Sequence, residues 1–304
     1  MHTETRKQAA TLALGVTIGL TALKLGVAYV SDSVGVLSEA IHSFLDLISA
    51  GVSFFTIRVA GKPADEDHPY GHGKIETLSS LFESIHLVAA AVLIIFEGVD
   101  HLRHPMAIRH GGLALGVMGV SIVVSYFTFQ HNFNAAQETE SSALHVNALH
   151  FLSDVVASLG VFLGLILLEW TGWVMIDPLI AFAVAGYILV ISVGQVKKSL
   201  MELADTQLPS EELEKIKQVV QQCQGELLAA QEIRTRKSGA TRHIDFNLVV
   251  CGHMTVDASH ALCDEVEAKI TEVFPRASIN IHVEPCEKER TKCQTQCPIA
   301  FRRK

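Results

Sequence analysis

The chain has 304 residues, 49% of them hydrophobic and 18% charged, with a mean hydropathy of +0.33, which excludes an ordinary soluble protein of this length and points to a membrane protein. Its net charge of −8 lies mostly in the front part: residues 1–204 hold 17 acidic and 10 basic residues, and 205–304 hold 15 and 14. That balance argues against nucleic acid as a partner and for the attraction of cations.

Apolar runs of spanning length occur at about 9–30, 34–59, 78–100, 111–130, 147–169 and 175–196, which predicts six transmembrane helices. The first run, after Arg6 and Lys7, is long enough to span and is expected to stay rather than be cleaved. An even number of spans puts both termini on one side. Arg6, Lys7, Arg58, Lys62, Lys74, Lys197 and Lys198 fall on that side, against Arg103 and Arg109 on the other, so both termini are expected in the cytoplasm of a multi-pass protein of the plasma (inner) membrane. Lys24, inside the first run, is expected to snorkel to the outer surface.

The second run carries His42 and Asp46, and the fifth carries His150 and Asp154. A spacing of four puts each pair on one helical face about 6 Å apart along the axis. Ionisable groups at membrane depth are expensive and usually mark an ion pathway or a partnered site. Two matched pairs supply two imidazoles and two carboxylates, a tetrahedral set suited to a divalent ion such as Zn²⁺.

The loop after the second run, Gly61 to Lys74, is dense in ligand types. Asp65, His68 and His72 are spaced to hold a second ion, although an acidic loop with two histidines is also the composition of a solvated turn. On the third helix, Glu76, Ser80 and Glu83 form a polar stripe expected to hydrogen bond within the bundle, and His86 lies off that line. The polar stretch from Asn132 to Ser142 is expected as a loop. His145 and Asn147 precede the His150 pair by one or two turns and are candidates for supporting it or lining its access path.

After Lys197 and Lys198 the pattern changes from continuous apolar runs to alternation, and a soluble domain begins. A helix is expected from Ser210, capped by its side chain; strands at Glu232–Arg236 and Thr241–Cys251; a helix over Asp257–Phe274; and a strand at Ser278–Val283. All six cysteines, at 223, 251, 263, 286, 293 and 297, fall in this part. If it is cytosolic they are expected to be reduced, and the run Cys286, Cys293, Cys297 lacks the paired spacing of a robust zinc site.

Taken together, the six runs, the two His/Asp pairs and the segment Asp65-Glu66-Asp67-His68-Pro69-Tyr70-Gly71-His72-Gly73-Lys74 resemble the cation diffusion facilitator family over nearly the whole chain. The resemblance implies a six-helix transport domain (1–204), an α+β, open-faced, ferredoxin-like or metallochaperone-like cytoplasmic domain for dimerisation and metal sensing (205–285), and a cysteine-containing basic tail (286–304). It implies His42, Asp46, His150 and Asp154 as the transport site, and Asp65, His68 and His72 as the loop site. His260, His282 and Glu284 are implied in a cytoplasmic metal site, where Gln231 and Asn247 stand in place of two further ligands. Lys74 and Asp205 match a charged hinge pair. The implied activity is that of a homodimeric, proton-coupled antiporter exporting divalent cations, most readily Zn²⁺, with no prosthetic group; the ion itself is cargo and regulator. Fe²⁺, Mn²⁺, Co²⁺ or Cd²⁺ export, or a non-transporting metal-sensing role, are the alternatives. No His-Glu-x-x-His helix supports an intramembrane metalloenzyme.

Overall fold

The computed structural model describes residues 2–31, 34–103, 112–171, 175–222 and 229–286, and the side chains of most but not all of these. They divide into two compact units, Met1–Leu200 and Met201–Lys304.

The first unit is built from six long helices: α1 (His2–Ser31), α2 (Val34–Ala60), α3 (Gly73–Arg103), α4 (Gly112–Thr139), α5 (Ser142–Thr171) and α6 (Ile176–Leu203), the last running a few residues past the unit's end. Four stretches among the described residues are long and apolar enough to cross a membrane, Glu4–Val27, Ser43–Ala60, Gly73–Asp100 and Pro178–Leu203. The helices overrun the apolar runs because a hydropathy window registers only the hydrocarbon depth, whereas the backbone stays hydrogen-bonded into the polar flanks.

Small residues set the spacing inside this bundle. Ala9, Ala10, Ala135, Ala136 and Ala143 pack with Ile57 and Leu144 in one buried cluster drawn from α1, α2, α4 and α5. In lipid, association relies on close backbone approach rather than on water exclusion, and alanine permits it. Large apolar side chains such as Phe55, Phe96, Phe127 and Val190 instead point outward.

Two expectations about this unit need correction. Residues 132–139 are not a loop but the last two turns of α4, and the reversal into α5 is confined to Glu140 and Ser141, with Glu140 at φ 53°. Asn132 is fully buried there and donates to Asn147 Oδ1 at 2.9 Å, so its polarity serves an interhelical bond rather than water. Lys24 does not simply snorkel: its Nζ donates to Ser43 Oγ on α2 at 3.1 Å.

The second unit comprises α7 (Ser210–Gln222), β1 (Ala229–Ser238), β2 (Thr241–Val250), α8 (Val256–Val273) and β3 (Ala277–Pro285). The sheet order is β1-β2-β3, with β1 antiparallel and β3 parallel to β2. Alternation in β2 sends Ile244, Phe246, Leu248 and Val250 to one face, where they meet Ile216 and Val220 of α7 and Leu262, Val266 and Ile270 of α8. β1 is longer than expected and carries an irregularity between Gln231 and Arg234, where Glu232 takes φ 51°. Ser210 opens α7 as its first helical residue rather than as a cap; the Pro209 carbonyl accepts from Glu212 and Leu213 N–H. Asp205, for which Lys74 is the expected partner, lies 3.6 Å from Arg236 Nη1 within this unit.

Candidate metal centre

Three helices of the membrane unit meet at the carboxylate of Asp46. This side chain, on α2, is 10% exposed, and its Oδ1 lies 3.4 Å from His150 Nε2 of α5 and 3.2 Å from His86 Nε2 of α3. His150 Nε2 is 3.9 Å from Asp154 Oδ2, one turn on along α5, as the four-residue spacing requires. The donor atoms of Asp46, His86 and His150 all fall within 4.8 Å of one another. The rings of His86 and His150 stack with centroids 5.8 Å apart, at 24°. Ser53, Ser80, Glu83 and Ser84 surround the polar interior on α2 and α3, each nearly or fully buried.

Of the four residues expected from the His/Asp pairs, the structure thus brings Asp46, His150 and Asp154 together. His42 lies in α2, but its side chain is outside the described residues. His86 is the residue that the sequence placed off the polar stripe of α3 and outside the expected ligand set. Its only local signal is a histidine in the middle of an apolar span; the partner that gives it meaning is 40 positions away.

The loop cluster is formed by chain reversal. Gly71 has φ 79°, a conformation that favours glycine, and its N–H donates to the His68 carbonyl at 2.8 Å. The turn returns His72 toward Asp65. Asp65 Oδ1 accepts from the His68 backbone N–H at 2.8 Å and lies 3.2 Å from His68 Nδ1, while Oδ2 is 3.5 Å from His72 Nε2. The three donors lie within 4.8 Å of one another. The His68 backbone N–H chiefly holds the Asp65 carboxyl below its usual value, against an opposing effect of desolvation, with the two imidazoles adding to the lowering.

Two domain descriptions match this chain: the cation efflux transmembrane domain over residues 10–204, and the cytoplasmic domain of cation efflux proteins over residues 208–286. The chain belongs to the cation diffusion facilitator family. It is 30% identical over 282 residues to an uncharacterized transporter of Synechocystis sp., covering 93% of this chain and 91% of that one. It is 30% identical over 280 residues to the cation-efflux pump FieF of Serratia proteamaculans, covering 92% and 93%, and 30% identical over 287 residues to FieF of Yersinia pestis, covering 93% and 95%. A solved structure of CzrB, described as a proposed zinc transporter in a Zn form, is 37% identical over 27% of this chain and 94% of its own, with a TM-score of 0.26.

This cation diffusion facilitator is therefore a membrane-embedded transporter of metal cations and not an enzyme. Its cytoplasmic histidines are arranged differently from the two clusters above. His260 Nδ1 lies 3.2 Å from Asp264 on the exposed side of α8, and His282 Nε2 lies 3.9 Å from Glu284 on β3. Glu284 accepts from Asn247 Nδ2 at 2.9 Å, and Gln231 is the register partner of Asn247 on β1. Neither three-donor cluster found among the described residues contains His260, His282 or Glu284. Of the tail cysteines only Cys286 is described; Cys293 and Cys297, like Cys223, lie outside the described residues.

His145 and Asn147 both make contacts with α4. The His145 ring packs against Phe133 at 5.9 Å, and Asn147 accepts from Asn132. The Glu76 end of the third-helix stripe does what was expected of it: Glu76, 1% exposed, accepts from Arg6 Nη1 at 2.8 Å and from Ser141 Oγ.

Proposed function

We propose that this chain exports a divalent cation, most readily Zn²⁺, from the cytoplasm in exchange for protons, through a site made of His42, Asp46, His150 and Asp154. The observation that carries the reading is the convergence of Asp46, His150 and Asp154 from α2 and α5 inside the membrane unit. Imidazole nitrogens with two carboxylates match a borderline ion in compact geometry better than they match Mg²⁺ or Ca²⁺, which select all-oxygen sites.

Charge balance supplies the coupling. Two carboxylates neutralise one divalent ion, and removing the ion alone leaves two unpaired anions in a low-dielectric interior, which is costly. Protons carried in the opposite direction keep the site near neutral in both halves of the cycle. Rocking of the helices about the site provides alternating access. Asp65, His68 and His72 take a second ion at the cytoplasmic surface, with both termini on that side of the inner membrane. His260, His282 and Glu284 are the cytoplasmic ligands, and the sheet face bearing exposed Ser278, Asn280 and His282 is the surface for pairing two copies of a domain small for independent stability.

The test is flux in liposomes holding purified protein, with Zn²⁺, Cd²⁺, Fe²⁺, Co²⁺ and Mn²⁺ in turn and the pH of each side set separately. Zn²⁺ uptake that drives proton movement the other way is the expected result. Zn²⁺ flux indifferent to an imposed pH gradient removes the antiport, and flux of Mn²⁺ in preference to Zn²⁺ removes the zinc assignment.

A further inference from the structure

The motifs that identify the transport site lie on α2 and α5, yet the carboxylate at its centre is approached at least as closely by a residue of α3. His86 Nε2 is 3.2 Å from Asp46 Oδ1, compared with 3.4 Å for His150 Nε2. Donors bound to Zn²⁺ at about 2.0–2.1 Å in tetrahedral geometry stand about 3.3 Å from each other. Both separations are therefore those of ligands around one ion. The His86 side chain is 17% exposed, similar to the 10% of His150 and Asp46, so it sits at the same sheltered depth.

A second observation on α3 points the same way. Glu83, one turn before His86, is 1% exposed, and its carboxylate oxygens make no hydrogen bond of ordinary geometry among the described residues, the Ser53 hydroxyl being their nearby polar partner. It nevertheless interacts electrostatically with His150. A buried carboxylate so sparsely hydrogen-bonded is expensive in a neutral surrounding and much less so beside a bound cation. The third helix thus brings both a nitrogen donor and a negative charge to a site whose motifs lie elsewhere.

We infer that His86 is a direct ligand of the transported ion, supplying a further nitrogen from α3 that biases the site toward Zn²⁺ and away from ions that prefer oxygen. The inference rests on the transport-site reading above. With His42 it gives five candidate donors, of which tetrahedral coordination uses four. Losing a nitrogen donor weakens borderline ions more than hard ones. A histidine that merely held Asp46 by a hydrogen bond would, when replaced, weaken all ions alike, and a glutamine could take over its donor role.

The experiment measures Zn²⁺ and Mn²⁺ transport by the full chain in liposomes for wild type, His86→Ala, His86→Gln and, as a control on the underlying site, Asp154→Ala. Both His86 variants are expected to raise the KM for Zn²⁺ about tenfold or more, on the scale of disturbed metal sites. Mn²⁺ should change less than about threefold, so that the Zn²⁺/Mn²⁺ preference falls in each. Glutamine restoring wild-type Zn²⁺ transport, or an equal loss for both ions in both variants, makes His86 a positioning residue and overturns the inference while leaving the site intact. Normal Zn²⁺ flux in Asp154→Ala removes the transport site itself and the inference with it.

Discussion

In the proposed transport site Asp154 and Asp46 share the charge of one ion, but their surroundings differ. Asp46 is enclosed by two imidazoles, while the Asp154 side chain is 37% exposed and meets His150 at 3.9 Å. Removing Asp154 therefore takes away a ligand without opening a packed core. Asp154→Ala is expected to insert and to survive gel filtration as wild type does, and to lose Zn²⁺ flux below detection. His42→Asp replaces a nitrogen by oxygen and adds a negative charge, so the Cd²⁺/Zn²⁺ flux ratio is expected to rise; an unchanged ratio takes His42 out of the ligand set. Asp65 gives a pH test. Its folded pKa is lowered, chiefly by the His68 N–H it accepts, so the turn's stabilisation is complete above the ordinary carboxylate pKa and is lost only as pH falls through the lower folded value. The His68 amide is expected to stay protected from hydrogen exchange as pH falls past 4 and to lose protection at lower pH, and Asp65→Asn to show no such step.

At the scale of whole elements, the membrane unit is tied by a few polar bonds between helices that are otherwise held by small-residue contact. Glu76 of α3 is the clearest, because it accepts from Arg6 of α1 and from Ser141 at the start of α5, joining three helices. Arg6 is 11% exposed at the side chain, so neither charge is screened by water. Breaking such a pair from one side leaves an uncompensated buried charge, at a cost of about 3–5 kcal/mol. Arg6→Ala is thus expected to lower the melting temperature of the detergent-solubilised protein markedly. Glu76→Gln with Arg6→Ala, which removes both charges, should recover part of the loss; the same melting temperature in the single and double variants would show that the pair carries no coupling.

Over the whole molecule, the two units derive their stability from different physics. The membrane unit packs alanines and hydrogen bonds in a medium as apolar as its own surface, whereas the cytoplasmic unit is a water-excluding core around Phe246, Ile244, Leu248 and Ile270. Phe246→Ala, which empties a site 1% exposed, is expected to cost about 3–5 kcal/mol in that unit alone. Pulse proteolysis in urea should then release a membrane fragment near residues 1–204 at lower denaturant than in wild type. Deleting Lys292 to Lys304 is expected to leave the order of ion preference unchanged, since the proposed site selects the ion at the intramembrane donors.

Sequence by itself determined the parts of this protein that depend on near neighbours. Apolar run length gave six helices, alternation gave the strands, and the four-residue period placed Asp154 within reach of His150 before any packing was known. The loop cluster was equally legible, because Asp65, His68, Gly71 and His72 act across at most seven positions. Tertiary structure alone decided which helix faces meet. A polar residue inside a span has the same local pattern whether it bonds to a neighbouring helix, as Asn132 does to Asn147, or approaches a carboxylate of the proposed ion site, as His86 does at Asp46. That difference lies in the packing of α2, α3, α4 and α5, where these contacting residues are separated by 15 and 40 positions and no local period records their meeting.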